Sequence, residues 1–278
     1  DISTHENRAK NFGFMGAAFG LGFIIGPYLG GKLSSPSVSF YGLFNTPHWF
    51  GATTPFWFAA IIALMNCTAV ITTFPETIKE KFHGGKIRVG QAVNNVVNGF
   101  KSDRLRVVLI SSFLFSAGFT FFTTFFGVYL RNKFSFSSSK IGDYFAIVGL
   151  CIALSQGLVV GRVAKKLVDY KVLKFSMFGT GAMMLIYFLT PTSSSMYLYM
   201  VIPFFATFNG LCMANTSSLI SRSAEMGRQG EAMGIYASVS SLSQVPAAVL
   251  VGYITTSITS SQPLIVAAVC IGLAGLSF

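Results

Sequence analysis

An all-α membrane bundle is the fold class this sequence predicts, and three observations predict it. The chain is too apolar for a soluble domain: 52% of its residues are hydrophobic and 10% charged, with a mean hydropathy of +0.62, against about 25% charged in ordinary globular proteins. Charge-poor runs close to the length of about 20 residues that crosses a bilayer recur along it. The basic residues gather on alternate connections between those runs.

Eight spans follow in order, at 12–31, 55–74, 107–130, 142–161, 174–190, 196–219, 232–257 and 263–278. Backbone amides cannot stay unpaired in lipid, so each run is a helix or a barrel strand. Barrel strands alternate apolar and polar residues over about 10 residues. The run VVLISSFLFSAGFTFFTTFFGVYL at 107–130 does not alternate, and helices are predicted throughout. Of the 20 Lys and Arg, only Lys32, Arg131, Lys133 and Lys140 fall on the side opposite the N-terminal flank. The basic side is cytoplasmic by the positive-inside rule, and an even number of helices returns the C-terminal end to it. Asp1 in place of Met, and Phe278 inside an apolar run, predict a chain that continues at both ends.

Three regions result: 1–74 with two helices, 75–106 as a basic cytoplasmic linker, and 107–278 with six helices. In the linker, Val89, Ala92, Val93, Val96, Val97 and Phe100 recur at helical spacing between Lys86, Arg88, Lys101 and Arg104. That pattern predicts an amphipathic helix on the anionic leaflet. The net charge of +11 is thereby a topology signal, not a nucleic-acid footprint. Cys67, Cys151, Cys212 and Cys270 fall inside spans without ligand spacing and read as small apolar fillers. His5, His48 and His83 are scattered over loops. No metal site, cofactor or catalytic residue is expected, and no carboxylate, His and Cys groups converge at membrane depth as an integral-membrane enzyme requires.

The first span carries GFIIGPYLGG at 22–31, rich in the two poorest helix formers, at roughly 1 and 3 kcal/mol against Ala in water. Gly22, Gly26 and Gly30 are four apart and share one face, which lets helix backbones approach closely in lipid. Pro27 removes one backbone hydrogen bond and bends the helix. Gly31 completes a G-x-x-x-G-P-x-x-G-G pattern.

That pattern resembles the antiporter motif in the fifth helix of drug:proton antiporters of the major facilitator superfamily. The preceding DISTHENRAKNFGFMGAAFG is similar to the loop from helix four to five in the tetracycline-efflux-like branch, where Asp1, Ser3, Arg8 and Asn11-Phe12-Gly13 match. GLVVGRVAKKLVDYKVL, at 157–173, is similar to a degenerate second copy of the family's G-x-x-x-D-R-x-G-R-K loop. Gly161, Lys166 and Lys171 match, whereas Lys165 stands where the fuller version has Asp and Val168 where it has Gly. Aligning Gly13 with Gly234 also sets Gly31 against Gly252, an eroded repeat with Ala247 and Ala248 at the places of Gly26 and Pro27.

The resemblance covers the whole chain as helices five to twelve. It implies a bundle of two parallel six-helix halves, with helices one to four outside these residues. It further implies a monomeric transporter of the bacterial inner membrane that exports a small amphipathic compound by alternating access, with protons as the coupling ion. The glycine motif would gate the pathway by packing helix five against helix eight and sealing the periplasmic end; Gly26→Leu is then expected to abolish export. Transport of an endogenous metabolite or sugar is the alternative, and a non-transporting membrane sensor is a further one.

Polar residues inside spans are expensive unless they face the interior. Tyr236, Ser240 and Gln244 recur at i, i+4 and i+8; Gln156, Asn209, Asn215, Thr120 and Thr123 complete the expected substrate pathway. All nine Asp and Glu residues fall in loops or at helix ends, Asp143 at the extracellular end of helix eight. A proton-carrying acid is therefore expected in the missing half. Tetracycline exporters also carry an acid in helix nine, and FSMFGTGAMMLIYFL here has none. Helix twelve, almost wholly apolar, is expected at the periphery.

Overall fold

The computed structural model describes residues 21–22, 24–36, 39–40, 44–74, 97, 99–101, 103–160, 170–192, 195–223, 229–250 and 261–277. These are nearly all helical. Residues 24–33 form α1, followed by α2 (Thr54–Thr73), α3 (Asp103–Phe134), α4 (Ser138–Ser155), α5 (Tyr170–Leu189), α6 (Met196–Ser223), α7 (Gln229–Leu242), α8 (residues 245–250) and α9 (Gln262–Leu276). Two short strands, β1 (Ser39–Phe40) and β2 (Phe44–Asn45), pair antiparallel in the α1–α2 connection. Six helices among the described residues are long and apolar enough to cross a membrane.

Local chemistry sets the ends. The amide of Gly51 donates to Thr54 Oγ1 at the start of α2, and Pro55 occupies its first turn, where a missing N–H costs nothing. Ser135, at φ 55°, terminates α3 in the left-handed conformation. Ser137 Oγ then accepts from the Lys140 amide at 3.2 Å and caps α4. Past Ser155 the helix loosens into a π segment, Gln156–Val160.

The α3 helix is longer than the expected 107–130. Arg131 and Lys133 stay in its last turn, because a long basic side chain can carry its charge away from the helix that holds its backbone. The expected continuous helix at 232–257 is broken: α7 stops at Leu242, Ser243–Gln244 form a turn, and α8 resumes at 245. Pro246 is the physical cause, since it has no amide to return to the Leu242 carbonyl. Of the expected linker helix, Val89, Ala92, Val93 and Val96 lie outside the described residues; Phe100 packs with Leu105 and Phe113 against Leu109, Ile235 and Val239.

The chain divides into two compact units. The first comprises residues 1–87 and 136–150, the second 88–135 and 151–278. In the first, α1 lies against residues 138–149 of α4, whereas α2 contains no buried residue and exposes Phe56, Trp57, Ile61, Leu64, Met65 and Ile71. In the second, α9 packs on both α3 and α5, α5 on α6, and α6 on α7. The expected peripheral helix therefore has two sides: Val266, Val269, Leu273 and Leu276 are exposed, while Leu264, Ala267, Ala268, Ile271 and Ala274 are buried. A methyl group added at Gly118 would sit 2.7 Å from the Ala267 carbonyl oxygen, so small residues set the α3–α9 approach as well. An aromatic cluster of Phe122, Phe126, Tyr187 and Phe205 fills the space between α3, α5 and α6, with ring centroids 4.5 to 6.0 Å apart.

Candidate functional site: a glycine crossing and an interior polar contact

Antiparallel helices α1 and α4 meet at two points within the first unit. A methyl on Gly31 would lie 2.6 Å from the Ser138 carbonyl oxygen and 2.8 Å from the Gly142 Cα. A methyl on Gly142 would lie 2.8 Å from the Pro27 carbonyl oxygen, and one on Gly149 2.8 Å from the Ile24 Cα. These neighbours are backbone, so neither helix can yield by turning a side chain. The two contacts, 31 with 142 and 24 with 149, are each seven residues apart along their helix, about two turns.

Among the described residues, the face of α1 that meets α4 is not the 22–26–30 row that spacing singles out. Methyl groups added at Gly22, Gly26 or Gly30 would meet no described atom within 4 Å. The expectation that Gly26 is intolerant of a side chain rests on a face that meets no described neighbour, and no contact among the described residues bears on it. The 24–27–31 face meets α4, and the 22–26–30 row points elsewhere, because successive residues on a helix are turned by about 100°.

Beside the Gly31–Gly142 contact stands Lys32, only 9% exposed. Its Nζ lies 3.1 Å from both carboxylate oxygens of Asp143 and donates to Ser139 Oγ at 2.8 Å. The Tyr28 ring centroid is 5.6 Å away. A cleft of about 370 Å³ opens next to this pair, walled by Ile24, Tyr28, Ala146, Ile147 and Leu150.

The expected pathway residues are partly brought together in the second unit. Ser240 Oγ on α7 is 2.8 Å from Ser116 Oγ on α3, and Tyr236 stands one turn before Ser240 on the same helix. Gln244 sits in the turn after α7, exposed, with its amide nitrogen 3.5 Å from the Ser240 carbonyl. Thr120 and Thr123 bond back to the carbonyls of Ser116 and Thr120 on their own helix. Gln156 is exposed at the start of the π segment. Asn209 and Asn215 are buried on α6; Asn215 Nδ2 donates to the Leu211 carbonyl at 2.8 Å. The Oδ1 atoms of both, and Thr216 Oγ1, find no partner among the described residues. Such atoms are costly to bury unpaired. Asp1, Arg8, Gly161 and Lys166 lie outside the described residues.

A glycine-lined helix crossing in an apolar bundle is a membrane-protein device of many families, and the whole sequence decides between them. The sequence pattern of the Major Facilitator Superfamily matches residues 1–248. The chain belongs to that superfamily. It is similar to the class H tetracycline resistance protein of Pasteurella multocida, 29% identical over 167 residues, covering 60% of this chain and 38% of that protein. Multidrug resistance protein 2 of Bacillus subtilis (strain 168) is 26% identical over 250 residues, 88% and 58% of the two chains. Hippocampus abundant transcript-like protein 1 of Rattus norvegicus is 24% identical over 272 residues, 91% and 48%. The chain spans about half the length of the curated relatives it matches.

In this major facilitator protein, sequence reasoning missed Gly142 and Gly149. A seven-residue interval is a weak signal alone, and its counterpart on α1, from Ile24 to Gly31, has a glycine at one end only. Ser116 was also missed; it lies four residues before Thr120 and was overlooked among phenylalanines. Among the described residues no cluster of His, Cys, Asp and Glu could hold a metal ion, and all four cysteines are free thiols.

Proposed function

We propose that the protein is a secondary active transporter that exports a small amphipathic compound by alternating access, in exchange for inward-moving protons. The observation that carries this reading is the Gly31–Gly142 crossing. A contact made of two backbones closes tightly, and it parts without leaving a buried polar side chain stranded. That suits a seal that must open in every cycle, in a fold whose halves rock about a central site. On this reading the crossing closes the outer end while the pathway faces the cytoplasm. Ser116, Ser240 and Tyr236 lie along the pathway, with Asn209 and Asn215 offering cargo the oxygens that find no partner among the described residues.

Relatives named for tetracycline and multidrug resistance support an amphipathic, partly aromatic cargo. Against tetracycline itself stands α5, which holds no acidic residue. The spans of these 278 residues place no carboxylate at mid-membrane depth, so the proton-carrying acid belongs to another part of the protein. The protein works as a monomer in the bacterial inner membrane with the C-terminal end of this chain in the cytoplasm, as the excess of basic residues on one side supports. It carries out no covalent chemistry and uses no cofactor.

Everted membrane vesicles test the reading. A fluorescent amphipathic dye should accumulate when a proton gradient is imposed, and the accumulation should collapse on adding a protonophore. Gradient-independent accumulation would remove proton exchange, and no accumulation of any amphipathic dye or drug in a broad panel would remove export.

A further inference from the structure

Lys32 and Asp143 are not part of the glycine pattern, yet they bracket its tightest contact. Tyr28 and Lys32 are four apart on α1, as Ser139 and Asp143 are on α4, so each pair projects from one face of its helix. Between them lies the Gly31–Gly142 contact. The ammonium group of Lys32 is surrounded: Asp143 offers both carboxylate oxygens at 3.1 Å, Ser139 its hydroxyl at 2.8 Å, and Tyr28 its ring.

Solvation of the pair is lopsided. The Lys32 side chain is 11% exposed and that of Asp143 43%, and both line the cleft walled by Ala146 and Ile147. Asp143 is the more accessible member of the pair. Lys32 cannot shed Asp143 without burying an unpaired charge, unless the helices separate and water reaches it. The ion pair is therefore favourable in the packed arrangement and loses its purpose once the crossing parts.

We propose that Lys32, Asp143 and Ser139 form a releasable clasp that holds α1 against α4, and that they are positioning residues acting through the glycine crossing, not groups that touch cargo. The clasp rests on the alternating-access reading for its use in the cycle, though not for its existence. Backbone contact alone sets how close the helices come; the clasp adds a charge-assisted bond that exists only while the helices are packed.

Hydrogen exchange of the full protein in lipid nanodiscs reads the clasp directly and needs no cargo. Asp143→Asn, which strands a buried ammonium, should raise exchange in peptides from 24–33 and 138–150 by about tenfold. Lys32→Met, which leaves the more exposed partner alone, should raise it by about threefold. The double variant should exchange more slowly than Asp143→Asn alone, because the stranded charge is gone. Exchange in α5 and α9 should stay at the parental rate, which a general loss of stability would not allow. Parental exchange in both single variants, effects that multiply in the double variant, or increases spread equally over α5 and α9 would each overturn the clasp. A protein that shows the local effect but fails every vesicle assay would refute the transport reading and leave the clasp standing.

Discussion

Gly31→Ala is the sharpest test of the helix crossing. The added methyl would lie 2.6 Å from the Ser138 carbonyl oxygen and 2.8 Å from the Gly142 Cα, where relaxed contact needs about 3.5 Å or more. The helices must therefore separate by roughly 0.7 to 1 Å, enough to forfeit a quarter to a half of the dispersion energy along the seam. Overpacking of this kind costs about 1 to 3 kcal/mol. A cost of about 2 kcal/mol lowers the closed-to-open ratio of the crossing by about thirtyfold. The same shift lengthens the 3.1 Å Lys32–Asp143 contact and weakens it further. Gly26→Ala is the matched control, since its methyl meets no described atom within 4 Å. Gradient-driven dye accumulation in everted vesicles, at equal protein abundance, should fall at least tenfold for Gly31→Ala and stay within twofold of the parent for Gly26→Ala. Equal activity of the two variants, or a larger loss for Gly26→Ala, would refute the assignment of the packing face.

Gly149→Ala should behave like Gly31→Ala, since its methyl meets the Ile24 backbone; thermal unfolding followed by tryptophan fluorescence should show a lower midpoint for both. Ser116→Ala and Ser240→Ala each remove one partner of the same 2.8 Å bond; each should cost about 1 kcal/mol, and the double variant should cost little more than either alone. Asn209→Leu removes a buried oxygen that has no partner among the described residues, so unfolding should show unchanged or greater stability, while dye accumulation should fall. Pro246→Ala should restore the missing amide hydrogen bond and slow hydrogen exchange across residues 242–250, where α7 now breaks.

The helices were legible wherever length and apolarity act alone. The α2 helix, at Thr54–Thr73, is a charge-free, largely apolar twenty-mer and differs by one residue at each end from the span read at 55–74. Boundaries slipped where charge was taken as an end: the helix does not stop at Arg131, since its backbone can continue while the guanidinium reaches water. The break at Ser243–Gln244 was written in Pro246, but a proline inside a span predicts a bend or a break alike, and only the neighbours decide. The packing face of α1 was illegible for a different reason. Gly22, Gly26 and Gly30 have the more regular spacing, yet whether a bare face is used depends on a second helix, and here Gly142 and Gly149 select the 24–27–31 side. The polar residues on α7 were found by period alone; that Ser240 bonds Ser116 needs the partner helix to be in place.

The contact between Gly31 and Gly142 has a consequence for how such a protein can change. Most core contacts drift by compensation, one side chain growing as its neighbour shrinks. Here neither residue has anything to give up, because both are already the smallest amino acid. A glycine codon altered at one nucleotide either stays glycine, becomes a stop, or gains a side chain. No second substitution at the facing position can make room for it. Relief must come from outside the contact, by sliding or tilting a whole helix, so the two positions form a fixed point about which the rest of the sequence is free to vary.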